Sequence, residues 1–79
     1  MKIEKKAAKA LIKMPRETAS KFMSAFAKIE EGKTEGMDIK PMSGKAGYYR
    51  LRIGKYRAIY TIDMEIIVIE AGSRGGVYK

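Results

Sequence analysis

The sequence contains neither cysteine nor histidine. The first absence removes disulfides and thiolate metal ligands, and the second removes the commonest general base and metal ligand. Metal chemistry of the Cys/His kind is therefore excluded. Acidic residues are also scarce, nine against seventeen Lys and Arg, and no close Asp-x-Asp pairing offers a magnesium site. No metal or other cofactor is expected. Long apolar runs are missing too. The longest, Ile66-Ile67-Val68-Ile69, falls far short of the roughly 20 residues of a membrane span, and nothing near Met1 has the apolar length of a secretion signal. A cytoplasmic protein without membrane contact is expected. Seventy-nine residues suffice for one modest core, so a single domain over 1–79 is expected. A core of that size supplies only ~3–5 kcal/mol, and a partner covering apolar surface would add appreciably to it.

What the chain does hold is a 46% hydrophobic share with 33% charged residues, enough apolar material to fold. The formal charge of +8 favours a polyanionic partner: nucleic acid, a ribonucleoprotein or an acidic protein. The distribution is more telling than the total. From Lys40 to Ile62 there are six basic residues and no acidic one, while Glu30, Glu31, Glu35 and Asp38 cluster just upstream.

Met1-Lys2-Ile3-Glu4 alternates briefly, as a short strand does. Over 5–13 the apolar positions Ala8, Leu11 and Ile12 recur at helical spacing among lysines, predicting a short amphipathic helix. Pro15 interrupts it and suits the first turn of a second helix, with Glu17 near the positive dipole end and Ala19, Phe22, Phe26 and Ile29 as its stripe. Gly32 is a natural terminator, and 32–47, with its glycines, Pro41 and Ser43, reads as a loop. After Gly47 the period changes to two and the residues become β-branched and aromatic, predicting strands at about 48–53, 56–62 and 66–71. The expected fold is α+β: a short N-terminal strand, then a two-helix hairpin packed on an antiparallel β-meander whose other face is free. There are no internal repeats or low-complexity segments.

A two-residue turn at Gly54-Lys55 pairs Ile53 with Tyr56, Arg52 with Arg57, Leu51 with Ala58, Arg50 with Ile59 and Tyr48 with Thr61. Alternation then sends Tyr49, Leu51, Ile53, Tyr56, Ala58, Tyr60 and Ile62 to the core and Tyr48, Arg50, Arg52, Arg57, Ile59 and Thr61 to the free face. Three guanidinium groups share that face. Arg52 directly opposite Arg57 is unfavourable unless an anion is expected there. A two-residue turn at Asp63-Met64 would add Glu70 opposite Arg57 and Val68 opposite Ile59, whereas a three-residue loop would turn Ile67 and Ile69 outward. Beyond the third strand, Gly72, Gly75 and Gly76 give a compliant backbone carrying Arg74, a further phosphate contact, and Tyr78, a ring on which an unpaired base can stack. Tyr48 is a weaker stacking candidate.

The run Gly47-Tyr48-Tyr49-Arg50-Leu51-Arg52-Ile53-Gly54-Lys55-Tyr56-Arg57-Ala58-Ile59-Tyr60, with Gly72-Ser73-Arg74-Gly75-Gly76-Val77-Tyr78, resembles the RelE/ParE toxin superfamily of type II toxin–antitoxin systems. Its RelE-like branch implies a ribosome-dependent endoribonuclease that cuts mRNA in the decoding site and so inhibits translation. A co-expressed antitoxin, RelB-like, acidic and partly disordered, neutralises it. On the family's motif, the site residues are Arg50 and Arg52 in the strand, Arg57 after the glycine turn, Arg74 after the third strand and Tyr78 near the C-terminus. The implied chemistry is attack of a ribose 2′-hydroxyl on the adjacent phosphate without a metal. Some relatives carry lysine where Arg50 and Arg52 stand; arginine stabilises charge but is a poor general base. Glu70 is a candidate base if the shorter turn forms, although an ion pair with Arg57 is the plainer role. The resemblance leaves open a ParE-like inhibitor of DNA gyrase, and an inactive homologue that only binds RNA or antitoxin.

Overall fold

Two helices meet at Pro15, and each is set by the spacing of its apolar residues. The computed structural model describes residues 1–73. After strand β1 (Lys2–Ile3), helix α1 (Lys5–Lys13) buries Ala7 and Leu11, and Met14 just beyond extends that i, i+4, i+7 row. Ile12, expected on the stripe, is 82% exposed. It stands 100° round the helix from Leu11, on the side away from the row that faces the sheet. Helix α2 (Arg16–Glu30) has Pro15 at its N-cap, whose carbonyl accepts from Ala19 N–H at 3.0 Å. It buries Phe22, Ala25, Phe26 and Ile29, with the Phe22 and Phe26 ring centroids 5.9 Å apart. Gly32 ends it as predicted. With φ 77°, Gly32 donates its N–H to Ile29 O while Lys33 N–H reaches Lys28 O, so two carbonyls of the last turn are satisfied.

The remaining strands are β2 (Asp38–Pro41), β3 (Tyr48–Ile53), β4 (Tyr56–Asp63) and β5 (Glu65–Ser73), and the sheet order is β1-β5-β4-β3-β2. The expected α+β layers and β3–β4–β5 meander are present. The sheet is wider than the meander because β1 pairs parallel with β5 and β2 pairs antiparallel with β3. Strand β2 lies inside 32–47, which reads as a loop. Four residues ending in proline carry no periodic signal of their own, and proline is tolerated there because β2 is an edge strand. It forms by pairing: Ile39 lies opposite buried Leu51, and Met42 N–H donates to Tyr48 O at 2.8 Å just past its end.

The β3–β4 register is the predicted one at every pair from Tyr48↔Thr61 to Ile53↔Tyr56. Gly54 has φ 61° and Lys55 is not in the left-handed region, the pattern of a type II′ hairpin turn. Between β4 and β5 the chain turns at Met64, a non-glycine at φ 67°, with Asp63 paired to Glu65. The resulting register is that of the longer loop, so Ile66 and Val68 enter the core and Ile67 faces outward. A bulge then corrects the parity. Tyr60 pairs with Val68 but Ile59 pairs with Glu70, leaving Ile69 as the extra residue. Glu70 therefore shares a face with the arginines, opposite Ile59 and not opposite Arg57, whose partner is Gly72; Val68 is a core residue and not a neighbour of Ile59 on the free face.

Phe22 and Phe26 meet Leu51, Ile66 and Val68 at the centre of the core. Tyr49 and Tyr60 stack across β3 and β4 at 5.5 Å, and burial, with the neighbouring Tyr49 second, raises the Tyr60 phenol above its ordinary pKa. Ile62, expected in the core, is 55% exposed. At this end of the sheet, α2 has already stopped at Glu30. There the Met1 ammonium meets Glu30 Oε2 at 3.0 Å and Glu65 Oε1 at 2.7 Å, and Glu30 Oε2 also accepts from Ile66 N–H at 3.2 Å. Hydrogen bonding to Glu65, then to Glu30, raises the pKa of the amine, while the ammonium and the Ile66 N–H hold the Glu30 carboxyl below its ordinary value.

Candidate nucleic-acid interface

The face of the sheet opposite the helices is organised in rows by the strand registers. Across β2, β3, β4 and β5 one row runs Lys40, Arg50, Ile59, Glu70, and the next runs Asp38, Arg52, Arg57, Gly72. Cross-strand partners point to the same side of a sheet, so Arg50, Arg52 and Arg57 share this face as predicted. At its centre Ile59 is only 5% exposed, yet it lies outside the helix-side core cluster. Arg50 and Glu70 flank it across the strands and Arg57 lies two residues before it along β4, so aliphatic stems surround an apolar floor.

Arg52 faces Arg57 directly, and β2 supplies what the sequence reading lacked, an internal counter-ion. Asp38 Oδ2 lies 3.1 Å from Arg52 Nε. The pair is about half exposed on both sides, so its worth is at most about 1 kcal/mol. Glu70, the candidate base, is engaged by Lys6 Nζ at 2.9 Å.

Two depressions adjoin Arg57. The larger, about 510 Å³, is lined by Lys40, Pro41, Met42, Ser43, Arg50 and Arg57. The smaller, about 270 Å³, is lined by Arg52, Gly54, Lys55 and Arg57. Arg57 is their common wall. A cleft of about 580 Å³ between the end of α1, the start of β4 and the end of β5 is larger than either; among the described residues no arginine lines it, and it meets these rows only at Gly72. Tyr48 is on the arginine face opposite Thr61, with Lys45 Nζ 5.1 Å from its ring centroid. Arg74 and Tyr78 lie outside the described residues. Lys40, Met42, Ser43 and Asp38 are the members that sequence reasoning did not place. The available signal was the unbroken basic stretch beginning at Lys40, which gave no side of a sheet to a segment read as loop.

The sequence is matched by a family model and the fold by solved structures. The family model described as the ParE toxin of the type II toxin–antitoxin system parDE matches residues 1–78. The chain belongs to this family, within the RelE/ParE superfamily. It is a RelE-like type II toxin. A RelE1 toxin candidate of Methanocaldococcus jannaschii is 32% identical over 84 residues, spanning 100% of this chain and 93% of that protein. The RelE of the archaeal RelE–RelB complex from Pyrococcus horikoshii superposes with a TM-score of 0.72 at 30% identity, over 95% of this chain and 93% of that one. The RelB–RelE complex from Methanococcus jannaschii gives a TM-score of 0.80 at 21% identity, over 92% and 89%, which speaks for the fold. Within the superfamily fold, the two arginine rows occupy the sheet face that the helices leave uncovered. Among the described residues, no helix is long and apolar enough to cross a membrane.

Proposed function

We propose that this toxin cuts messenger RNA engaged on the ribosome, by attack of a ribose 2′-hydroxyl on the adjacent phosphorus. The O2′–P bond forms and the P–O5′ bond breaks, leaving a cyclic phosphate on one fragment and a 5′-hydroxyl on the other. The proton lost by the 2′-hydroxyl balances the one gained by the leaving oxygen. The observation that carries this reading is Arg57 standing between two adjoining depressions, with Arg50 and Lys40 on one side and Arg52 and Lys55 on the other. A phosphodiester laid over Arg57 is met by cations from both sides. As phosphorus becomes five-coordinate it gains negative charge, and fixed donors at that point lower the barrier without reorganising.

Arg50, Arg52 and Arg57 act through charge and hydrogen bonding, because guanidinium stays protonated at any working pH and cannot take the 2′-hydroxyl proton. Arg74 is assigned as a further phosphate contact and Tyr78 as the ring on which a base stacks. A RelB-like antitoxin is the proposed partner. Support comes from the 30%-identical Pyrococcus horikoshii RelE, solved with RelB, and from the basic face itself, which suits an acidic, initially disordered segment.

The match to the ParE family model favours a second reading, inhibition of DNA gyrase by the same face without RNA cleavage. Assaying the purified toxin side by side on ribosome-bound mRNA and on gyrase supercoiling separates the two. We expect cleavage with supercoiling unaffected; gyrase inhibition without cleavage would overturn the nuclease reading.

A further inference from the structure

The two depressions beside Arg57 differ in chemistry as well as size. The smaller is walled by cations and glycine, which suits phosphate oxygens and little else. The larger has an apolar edge, Pro41 and Met42, and a hydroxyl, Ser43, next to Lys40, Arg50 and Arg57. Its volume of about 510 Å³ falls in the roughly 300–1,000 Å³ range of sites that hold small organic ligands. An apolar wall, a neutral hydrogen-bonding group and a cationic rim are the three things a nucleotide presents surfaces for: the base face, the base edge and the phosphate.

We infer that the Lys40–Ser43 cleft is a nucleobase subsite, in which the Met42 side chain covers the face of an unstacked base, Ser43 Oγ meets its edge, and Lys40 joins Arg50 and Arg57 on the flanking phosphate. The inference rests on the RNA-cutting reading and adds what that reading lacks, a group able to favour one base over another beside the scissile bond. Geometry supports it in two ways. First, the parity of β2 continues through Met42: Lys40 is opposite Arg50, and Met42 two residues on is on the same side, half-buried against the face that carries the arginines. Second, the wall is held in place. Met42 N–H donates to Tyr48 O at 2.8 Å, Tyr48 N–H donates to Lys45 O at 3.2 Å, and Thr61 Oγ1 donates to Gly47 O at 2.7 Å, tying the connection between β2 and β3 to β4. A base entering this cleft meets a surface already formed, so little ordering cost is set against the contact. Methionine suits the position because its polarisable thioether packs on aromatic surfaces without demanding one shape.

The test is binding of a short single-stranded oligoribonucleotide and of a series in which each position in turn is abasic, followed by fluorescence anisotropy at one low salt concentration. For the wild-type toxin the position seated in this cleft should stand out beside any that stacks on Tyr78, its abasic form binding about fivefold more weakly, as loss of a single base contact requires. Met42→Ala and Ser43→Ala should each shrink that penalty to under about twofold, Met42→Leu should retain it, and thermal melting should show all three folded. Lys40→Ala should weaken every oligomer alike and reduce the salt slope by about 0.7, the signature of one lost phosphate contact. An equal abasic penalty in wild type and Met42→Ala, no position-specific penalty in wild type, or no measurable binding overturns the subsite. The same proteins are assayed for cleavage of ribosome-bound mRNA. Cleavage with an unaltered abasic penalty rejects the subsite alone, and a base-specific penalty without cleavage rejects the nuclease reading alone.

Discussion

The two faces of the β3–β4 ladder are built from alternate residues of the same two strands, joined by the same Gly54-Lys55 turn. On one side, Leu51, Ala58 and Tyr60 are closed under the helices with 3% exposure or less. On the other, Arg50, Arg52 and Arg57 surround one buried isoleucine and line open depressions. The helix side buries no charged side chain among the described residues and stabilises the domain by burial; the arginine side concentrates like charge, a cost that Asp38 offsets in part at Arg52. A register slip of one residue would exchange the two sets, so the turn that holds the fold together also assembles the site. Stability and function are therefore separable by residue although they are inseparable by backbone.

The largest expected effect tests the helix side. Phe26, fully buried beside Phe22, should cost about 3–5 kcal/mol when cut back to alanine, comparable to the whole stability of a domain this small. Chemical denaturation of Phe26→Ala should find little folded protein without a partner; a midpoint near wild type would mean that the helix-side core is not what holds the sheet.

On the arginine side the same kind of truncation should leave the fold and remove the activity. Arg57→Ala is expected to lower cleavage of ribosome-bound mRNA by about 10²–10³-fold, the usual loss on deleting one fixed donor to a developing charge. Its growth arrest should vanish while the denaturation midpoint barely moves. Toxicity at the wild-type level in this variant would break the comparison outright.

A smaller effect of opposite sign is expected from Asp38→Asn. Removing the carboxylate 3.1 Å from Arg52 costs at most about 1 kcal/mol of stability for so exposed a pair and releases a guanidinium toward the ligand. Affinity for single-stranded RNA should rise a few-fold at low salt, with a steeper salt slope. Weaker binding would mean that Asp38 positions Arg52 and does not merely neutralise it.

The smallest effect concerns the Met1–Glu30–Glu65 cluster, far from the arginines. The raised amine contributes stability that is present below its ordinary value of 8.0 and lost as pH rises through the higher folded value. The lowered Glu30 carboxyl contributes stability present above 4.5 and lost as pH falls through the lower folded value. Melting temperature in this 79-residue chain should thus be flat between those limits and decline outside them. Glu30→Gln should soften both declines; identical profiles for the two proteins would remove the cluster from the account.

Much of this is legible in the sequence. Phe22, Phe26 and Ile29 announce α2 by spacing, and Gly54-Lys55 announces a hairpin whose pairs all recur. The errors have local causes. Ile12 fits a helical stripe as well as Ala7 does, and only the position of β5 decides between them. Ile62 alternates correctly, but alternation says nothing of where a covering helix stops. The bulge at Ile69 changes parity within an apolar run that reads the same in either register.

By itself the sequence determined the two helices, the β3–β4 register and hence the common side of Arg50, Arg52 and Arg57, because these follow from local periodicity and from a turn that glycine fixes. Only the tertiary structure decided that Asp38 meets Arg52, that Lys40 and Met42 stand beside Arg50, and that Glu70 lies opposite Ile59 and reaches Lys6. Those placements depend on a four-residue edge strand and a bulge, and both are set by pairing with distant segments, for which a short stretch of sequence carries no period of its own.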